Sequence, residues 1–374
     1  MRKTLLFTID FPPNFGGVAN YYRKICEYLP SDKIIVLTIK DIKAEDGEQS
    51  YKIYRKNLLT KLVIWPKWLP CFWYLYRIIK KEKIKTVLVG QVLPLGTVVM
   101  VLAKIMNFDY LVLTHSFDIL VAQKSKRKKY LLKKILKNAK YITSNSDFTK
   151  QELIKLGIKE NKITTIYPCP YFKPPADKKT KNDLIKRYNL KNKKIIFTVG
   201  RMVERKGADM VIKSIPKIKK EIANIVYIIA GGDASYKKKL RELSEKFSVN
   251  DKVIFMPNAK DEEIKALYDL GDLFIMPCRQ MNEDVEGFGI VFLEANFFNK
   301  PVIGGKSGGA IEAIVNNKTG LLVNPLNLNE ISRAVIKLLK DKNLAEKLGA
   351  NGRQRVEQEF NWKKQTGKLK KLLE

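Results

Sequence analysis

Two glutamates eight residues apart, Glu286 and Glu294, flank a Gly287-Phe288-Gly289 turn inside the segment Met276 to Glu312. An apolar run, Leu273-Phe274-Ile275, precedes the turn and reads as a buried strand, and Ile290 to Phe298 reads as the helix that follows. A glycine turn opening a helix at a strand's end offers unpaired backbone N–H groups and the positive end of the helix dipole to an anion. Those N–H groups belong to Phe288, Gly289 and Ile290. Glu286 just outside the helix, and Glu294 about one turn inside it, can accept hydrogen bonds from hydroxyls on either side of that anion. Two acceptor carboxylates beside a phosphate cradle suit a sugar attached to a nucleoside diphosphate. An ordinary strand–turn–helix with two surface glutamates is the competing reading of this segment taken alone.

The elements that must position these groups alternate along the whole chain. In the first half, strand-like runs at Thr4–Ile9, Lys33–Ile39, Thr86–Val89, Tyr110–Thr114 and Tyr141–Ser144 are separated by helical stretches at Val18–Leu29, Leu95–Met106, Lys126–Asn138 and Asp147–Leu156. Four prolines in the eight residues from Pro168 to Pro175 interrupt the pattern and read as a stiff hinge. Strands at Lys194–Val199, Ile225–Ala230, Lys252–Phe255, Asp272–Met276 and Pro301–Ile303, each followed by a helical stretch, then repeat it. The expectation is an α/β protein with two doubly wound parallel sheets. The 374 residues, 45% of them hydrophobic, suffice for two cores. Ligands of such sheets sit beyond the carboxyl ends of the strands.

Charge and cysteines narrow the partners. With 71 basic and 38 acidic residues the net charge is +33, which implies an anionic surface as partner, nucleic acid or a membrane's cytoplasmic face, or else reflects the organism's general composition. Cys26, Cys71, Cys169 and Cys278 are scattered, which fits reduced thiols and a cytoplasmic protein. The apolar stretch Leu5 to Ile9 is too short for a signal peptide. Val87 to Ala103 is uncharged but broken by Gly90, Pro94 and Gly96, so a strand, a loop and a helix explain it better than a membrane span.

Three segments in order carry a family resemblance: Asp10-Phe11-Pro12-Pro13-Asn14-Phe15-Gly16-Gly17-Val18-Ala19, Val199-Gly200-Arg201-Met202-Val203-Glu204-Arg205-Lys206-Gly207, and the stretch around Glu286 and Glu294. Together they resemble the N-terminal glycine loop, the GR-xxx-KG loop and the Glu-x7-Glu region of retaining GT-B glycosyltransferases. The segments Asp284 to Ile290 and Ser307 to Ala310 look most like bacterial phosphatidylinositol-mannoside-type α-mannosyltransferases. The resemblance implies two Rossmann-like domains facing across a cleft. Residues 1–170 would form the acceptor-side domain, joined by a C-terminal helix over 361–374, and residues 171–360 the nucleotide-sugar domain. It also implies hexose transfer with retained anomeric configuration from GDP-mannose or a UDP-hexose to a glycan or lipid-linked acceptor, in cell-envelope polysaccharide or glycolipid synthesis.

Cleaving the anomeric bond leaves negative charge on the departing phosphate, and fixed cations or N–H dipoles must meet it. Arg201 can engage two phosphate oxygens and Lys206 supplies a point charge. In the resembling family a matching pair does this. By the same resemblance Glu286 accepts from the hexose hydroxyls, Glu294 from the ribose hydroxyls, and Gly16 and Gly17 let the backbone approach phosphate or acceptor closely. His115, the single histidine, follows the strand Tyr110–Thr114. The family places a histidine here near the anomeric carbon, with an aspartate three residues on, here Asp118. The usual His-Gly-x-Asp becomes His-Ser-Phe-Asp, and Tyr167-Pro168-Cys169-Pro170 replaces a Pro-x-Gly-Val-Asp turn. No Asp-x-Asp occurs, so neither a metal nor another cofactor is expected.

Leu58 to Lys81 holds Trp65, Trp68 and Trp73 beside Phe72, Tyr74 and Tyr76. Lys124 to Lys140 carries nine basic residues in 17 with no acid, and an apolar stripe of Leu131, Leu132, Ile135, Leu136 and Ala139. Aromatics flanked by lysines favour a headgroup boundary, which suggests peripheral attachment to an anionic membrane at its inner face. A core-packed helix with a solvated basic face is the alternative. A nucleic-acid binder would explain the charge, but none of its usual signatures appears. Gly305-Lys306-Ser307 lacks the earlier glycine of a phosphate loop, because position 300 is lysine. A dehydrogenase fingerprint is absent. A nucleotide-sugar epimerase or sugar phosphorylase on the same fold stays open, separable from a transferase by nucleotide release that depends on an acceptor.

Overall fold

The computed structural model describes residues 1–13, 16–42, 44, 49–60, 66–232 and 236–374. Asn14 and Phe15 of the glycine loop, and Trp65 of the aromatic segment, lie outside the described residues. The chain divides into two compact units, Met1–Pro168 with Asn361–Glu374, and Cys169–Phe360. The division falls within residues 166–177, which carry neither helix nor strand.

The first unit is built on β1 (Thr4–Phe7), β2 (Ile34–Ile39), β3 (Lys52–Lys56), β4 (Thr86–Val89), β5 (Asp109–Thr114), β6 (Tyr141–Ser144) and β7 (Ile163–Thr165). Among the described residues these form one sheet in the order β3-β2-β1-β4-β5-β6-β7. Every pairing is parallel. Inner strands such as β4, sequence TVLV, are buried along their whole length because helices cover both faces. From β1 the chain winds toward β3, then returns past β1 to β4. Right-handed crossovers put the connecting helices of the two directions on opposite faces. Helix Gly17–Glu27 meets the C-terminal helix Trp362–Leu372, while Pro70–Glu82, Leu95–Ile105 and Lys126–Asn138 pack side by side. The terminal helix belongs to this unit, where its Gln365 Oε1 accepts from Tyr167 N at 3.2 Å and Leu373 O accepts from Arg2 N at 3.0 Å.

The second unit holds β8 (Lys194–Val199), β9 (Ile225–Ala230), β10 (Val253–Met256), β11 (Leu273–Met276), β12 (Val302–Gly305) and β13 (Leu321–Val323). Their order, β10-β9-β8-β11-β12-β13, repeats the winding of the first sheet, again all parallel. In each sheet the winding reverses beside the first strand, between β1 and β4 and between β8 and β11. A doubly wound sheet leaves a crevice for ligand at that point.

β3, β7 and β13 were not among the expected strands, and all three are sheet edges. β3 reads KIYRK and is exposed or half-buried throughout, as an edge guarded by charge must be. β7 and β13 are three residues each, too short to show a period.

The basic helix Lys126–Asn138 corrects one part of the membrane reading. Leu132, Ile135, Leu136 and the following Ala139 are fully buried in the core of the first unit. Burying a leucine or isoleucine is worth about 1.5–3 kcal/mol each, whereas a basic residue near an anionic surface gains about 1 kcal/mol. The apolar stripe is therefore core, and only the basic face remains for a surface. Trp68, Phe72 and Tyr74 likewise pack against the core, while Trp73 is 54% exposed with Arg77 over its ring at 4.5 Å. Among the described residues no helix is long and apolar enough to cross a membrane.

Candidate active site

In the second unit, loops from the carboxyl ends of β8, β9, β11 and β12 press together so closely that glycine is required at several contacts. A Cβ at Gly207, where φ is +76°, would stand 2.2 Å from Pro277 O. One at Gly305 would stand 2.0 Å from Cys278 O, and one at Gly309 would stand 2.3 Å from Gly287 O. Gly309 N donates to Glu286 O at 2.8 Å, so the Ser307-Gly308-Gly309 turn braces the loop that carries Glu286. Gly289, at φ +85°, starts helix Ile290–Phe297 in a conformation that side chains resist. Phe288 is buried with its ring 5.7 Å from Phe360 and anchors the turn.

The charged groups converge on this frame. The loop after β8 forms a short 3-10 turn at Glu204–Lys206 that ends at Gly207. Lys206 Nζ lies 3.5 Å from Val199 O, folded back over Gly200, where an added Cβ would come within 2.0 Å of it. Burial pulls the Lys206 ammonium below its ordinary pKa, although Glu286 opposes the shift. Burial by itself would raise Glu286, yet Arg205 first and Lys206 next hold it below the ordinary glutamate range. Arg201 is exposed and also acts on both Glu286 and Lys206.

Glu294 is 6% exposed, and its surroundings differ from those of Glu286. Tyr268 OH donates to Oε2 at 2.8 Å, and Tyr171 N donates to Oε1 at 3.4 Å. Tyr268 is fixed in turn by an aromatic cluster, with ring centroids 5.6 Å from both Phe197 and Phe298. Burial raises the Glu294 pKa to about 7 despite both donors and the more weakly felt charge of Lys206. A carboxylate has about four acceptor positions, so it can still receive hydroxyls.

In the first unit the carboxyl ends of β1, β4 and β5 carry a different chemistry. Gly16 has φ +155°, and Gly17 begins helix Gly17–Glu27; a Cβ on either would meet nothing within 4 Å among the described residues. That helix delivers Tyr22, whose hydroxyl is 3.0 Å from His115 Nε2 and donates to Gly90 O. With its proton committed to Gly90, the hydroxyl accepts from His115, and the proton assignment that satisfies both sits on Nε2. Nδ1 is then the ring's acceptor. Burial lowers the His115 pKa to about 4, so the imidazole is neutral near pH 7. Asp118, in the first turn of the helix Ser116–Ala122, is pushed up to about 7 by burial and by Asp10. Asp10 itself accepts from Gln91 Nε2 at 2.9 Å.

The expected residues thus fall into two groups: Arg201, Lys206, Glu286, Phe288, Gly289, Ile290 and Glu294 at one sheet, Gly16, Gly17, His115 and Asp118 at the other. Arg205, Arg279, Tyr268, Tyr22 and Asp10 also belong to these networks and were not singled out from sequence. Arg205 stands inside the loop Val199 to Gly207, but its partner Glu286 is 81 residues away, beyond any local period. Among the described residues no group of three or more His, Cys, Asp or Glu is placed to hold a metal ion.

Comparison with known proteins matches residues 180–355 to the family model "Glycosyl transferases group 1" and residues 15–169 to "Glycosyltransferase Family 4". The chain is 30% identical to a GDP-mannose-dependent alpha-(1-6)-phosphatidylinositol monomannoside mannosyltransferase of Mycobacterium tuberculosis, covering 100% of this chain and 98% of that protein. It is 28% identical to a GDP-mannose-dependent monoacylated alpha-(1-6)-phosphatidylinositol monomannoside mannosyltransferase of Corynebacterium glutamicum, again over 100% of this chain and 98% of the relative. Among solved structures, sucrose-phosphate synthase from Thermosynechococcus elongatus superposes with a TM-score of 0.83 at 23% identity, covering 100% of this chain and 98% of that one. This likeness shows the fold, two Rossmann-like parallel sheets of the GT-B kind. Thirty per cent identity over the full length of a relative and two family models along the chain agree: this protein is a glycosyltransferase and belongs to glycosyl transferases group 1.

Proposed function

We propose that the protein is a retaining hexosyltransferase that moves mannose from GDP-mannose to a glycan or lipid-linked acceptor in cell-envelope glycolipid or polysaccharide synthesis. The observation that carries this reading is the convergence of Arg201, Lys206 and Glu286 beside the glycine-opened helix Ile290–Phe297. Two cations and a helix N-terminus oppose the charge that develops on a departing diphosphate, without a metal or another cofactor. Glu286 accepts from the hexose, with backbone N–H groups of Phe288, Gly289 and Ile290 nearby, and Glu294 accepts from the ribose. His115 and Asp118 serve the acceptor side, and Gly16 and Gly17 leave room there for phosphate or acceptor. Mannose is favoured over a UDP-linked glucose or N-acetylglucosamine because the full-length relatives are named as GDP-mannose-dependent enzymes.

The same reading includes peripheral attachment to an anionic membrane at its inner face. Its support is the exposed Leu69, Trp73 and Tyr76 on or beside helix Pro70–Glu82, with Arg77 and Lys80 over the two aromatic rings, and the lysine-covered face of Lys126–Asn138. Thermal melting with a panel of GDP- and UDP-sugars tests the donor: GDP-mannose is expected to raise Tm and UDP-sugars are not. A product of inverted configuration by NMR would overturn the retaining assignment, and loss of activity in a chelator would overturn the metal-free one. Co-sedimentation with anionic liposomes, expected to weaken with salt, tests the membrane reading.

A further inference from the structure

We propose that Arg205 is a positioning residue that presents Glu286 to the transferred sugar: it holds one carboxylate oxygen and leaves the other to the substrate. The inference rests on the reading of Glu286 as acceptor for the hexose hydroxyls. Arg205 is almost wholly buried, and its Nη1 donates to Glu286 Oε2 at 2.7 Å. Its Nε lies 2.8 Å from Asp284 Oδ1. One guanidinium therefore hydrogen-bonds one carboxylate through Nη1 and lies in ion-pair contact, with no hydrogen bond from Nε, with a second two residues away on the same loop. Among the described residues no other side chain hydrogen-bonds to the Glu286 carboxylate, so Oε1 keeps its acceptor capacity.

The backbone that carries this guanidinium is itself held in place from behind. Arg205 O accepts from Arg279 N at 2.8 Å. Arg279, also buried, reaches Asp209 with Nη1 and Nη2 at 3.0 Å each and Glu204 with Nη2 at 3.1 Å. Arg279 thus locks the backbone of the loop, and Arg205 transmits that rigidity to the one carboxylate aimed at substrate. A lysine at 205 would keep a charge but lose the two-point grip. A glutamine would lose both, and burial would then push Glu286 toward its neutral form.

Arg205→Gln and Arg205→Lys, compared with wild type, separate orientation from charge. Binding of GDP and of GDP-mannose is measured by calorimetry, and release of GDP from GDP-mannose, with water as acceptor, is followed against pH. For Arg205→Gln the expectation is GDP affinity within about threefold of wild type, loss of any preference for GDP-mannose over GDP, and turnover reduced about 100-fold, the scale of losing one preorganised group. The acid limb of the pH–rate profile should move to higher pH. Arg205→Lys should keep the acid limb near wild type while turnover still drops about tenfold, because charge survives and aim does not. Equal losses of GDP and GDP-mannose affinity with an unmoved acid limb would mark a merely structural role and overturn the proposal. If Arg205→Gln does not fold by circular dichroism, wild-type turnover in Arg205→Lys alone overturns it. A wild type that binds no sugar nucleotide at all overturns the functional reading first, and this inference with it.

Discussion

The two sheets wind the same way, with the first strand of each, β1 and β8, at the point of reversal, and the first sheet carries one more edge strand, β7. Their carboxyl ends nevertheless carry opposite electrostatics. In the second unit Arg201, Arg205 and Lys206 surround Glu286, and the balance of fixed charges keeps that half-buried carboxylate ionised. In the first unit His115 is neutral and Asp118 is raised to about 7, with Asp10 rather than a cation beside it. The difference teaches that a common topology supplies only the location of a site. What the site can bind follows from whether its buried groups are compensated: fixed charge suits a diphosphate, and groups poised to exchange protons suit a hydroxyl acceptor.

Replacing Lys206 by alanine is the strongest way to break this contrast. Removal of one preorganised charge at the departing phosphate should cut turnover by about 10²–10³, measured as sugar-nucleotide consumption. An equal loss from Asp118→Asn, accompanied by weakened GDP binding, would erase the distinction between the sheets. Gly200→Ala comes next. Its Cβ would collide with the Lys206 ammonium and meets a φ of +132°, so GDP affinity should fall about tenfold (~1.4 kcal/mol) by calorimetry, while the first unit's chemistry is untouched.

Asp118 sharpens the other half. With a pKa near 7, its protonation changes across pH 6 to 8, and wild-type turnover should change with it. Asp118→Asn should remove that inflection and leave GDP affinity unchanged. The last effect concerns stability rather than turnover. Glu294 is raised from 4.5 to about 7 in the folded chain, so its contribution is fully present below the unfolded pKa and is lost as pH rises through about 7. A shift of that size corresponds to at most about 3 kcal/mol. Glu294→Gln should flatten the fall of Tm between pH 5 and 8 in scanning calorimetry, and an unchanged slope would remove Glu294 from the account.

Much of this was readable in the residues. Inner strands such as IVYIIA and LFIM announce themselves because both faces are buried, and the glycine turns mark where the backbone must approach closely. The edge strands were silent, since charge and brevity hide their period. The apolar stripe of Lys126–Asn138 was visible, but not whether core or membrane would claim it. Of the site, the loops and their order were legible; the partners of Glu286 and Glu294 were not.

By itself the sequence determined the alternation of strands and helices, the glycines at the turns and the set of charged residues at the strand ends. Those follow from local sterics and periodicity, which act over a few residues. Only the tertiary structure decided that Arg205 grips Glu286 across 81 residues and that Tyr268 occupies Glu294. It likewise decided that Tyr22 meets His115, because pairing and burial of charge depend on which strands lie side by side.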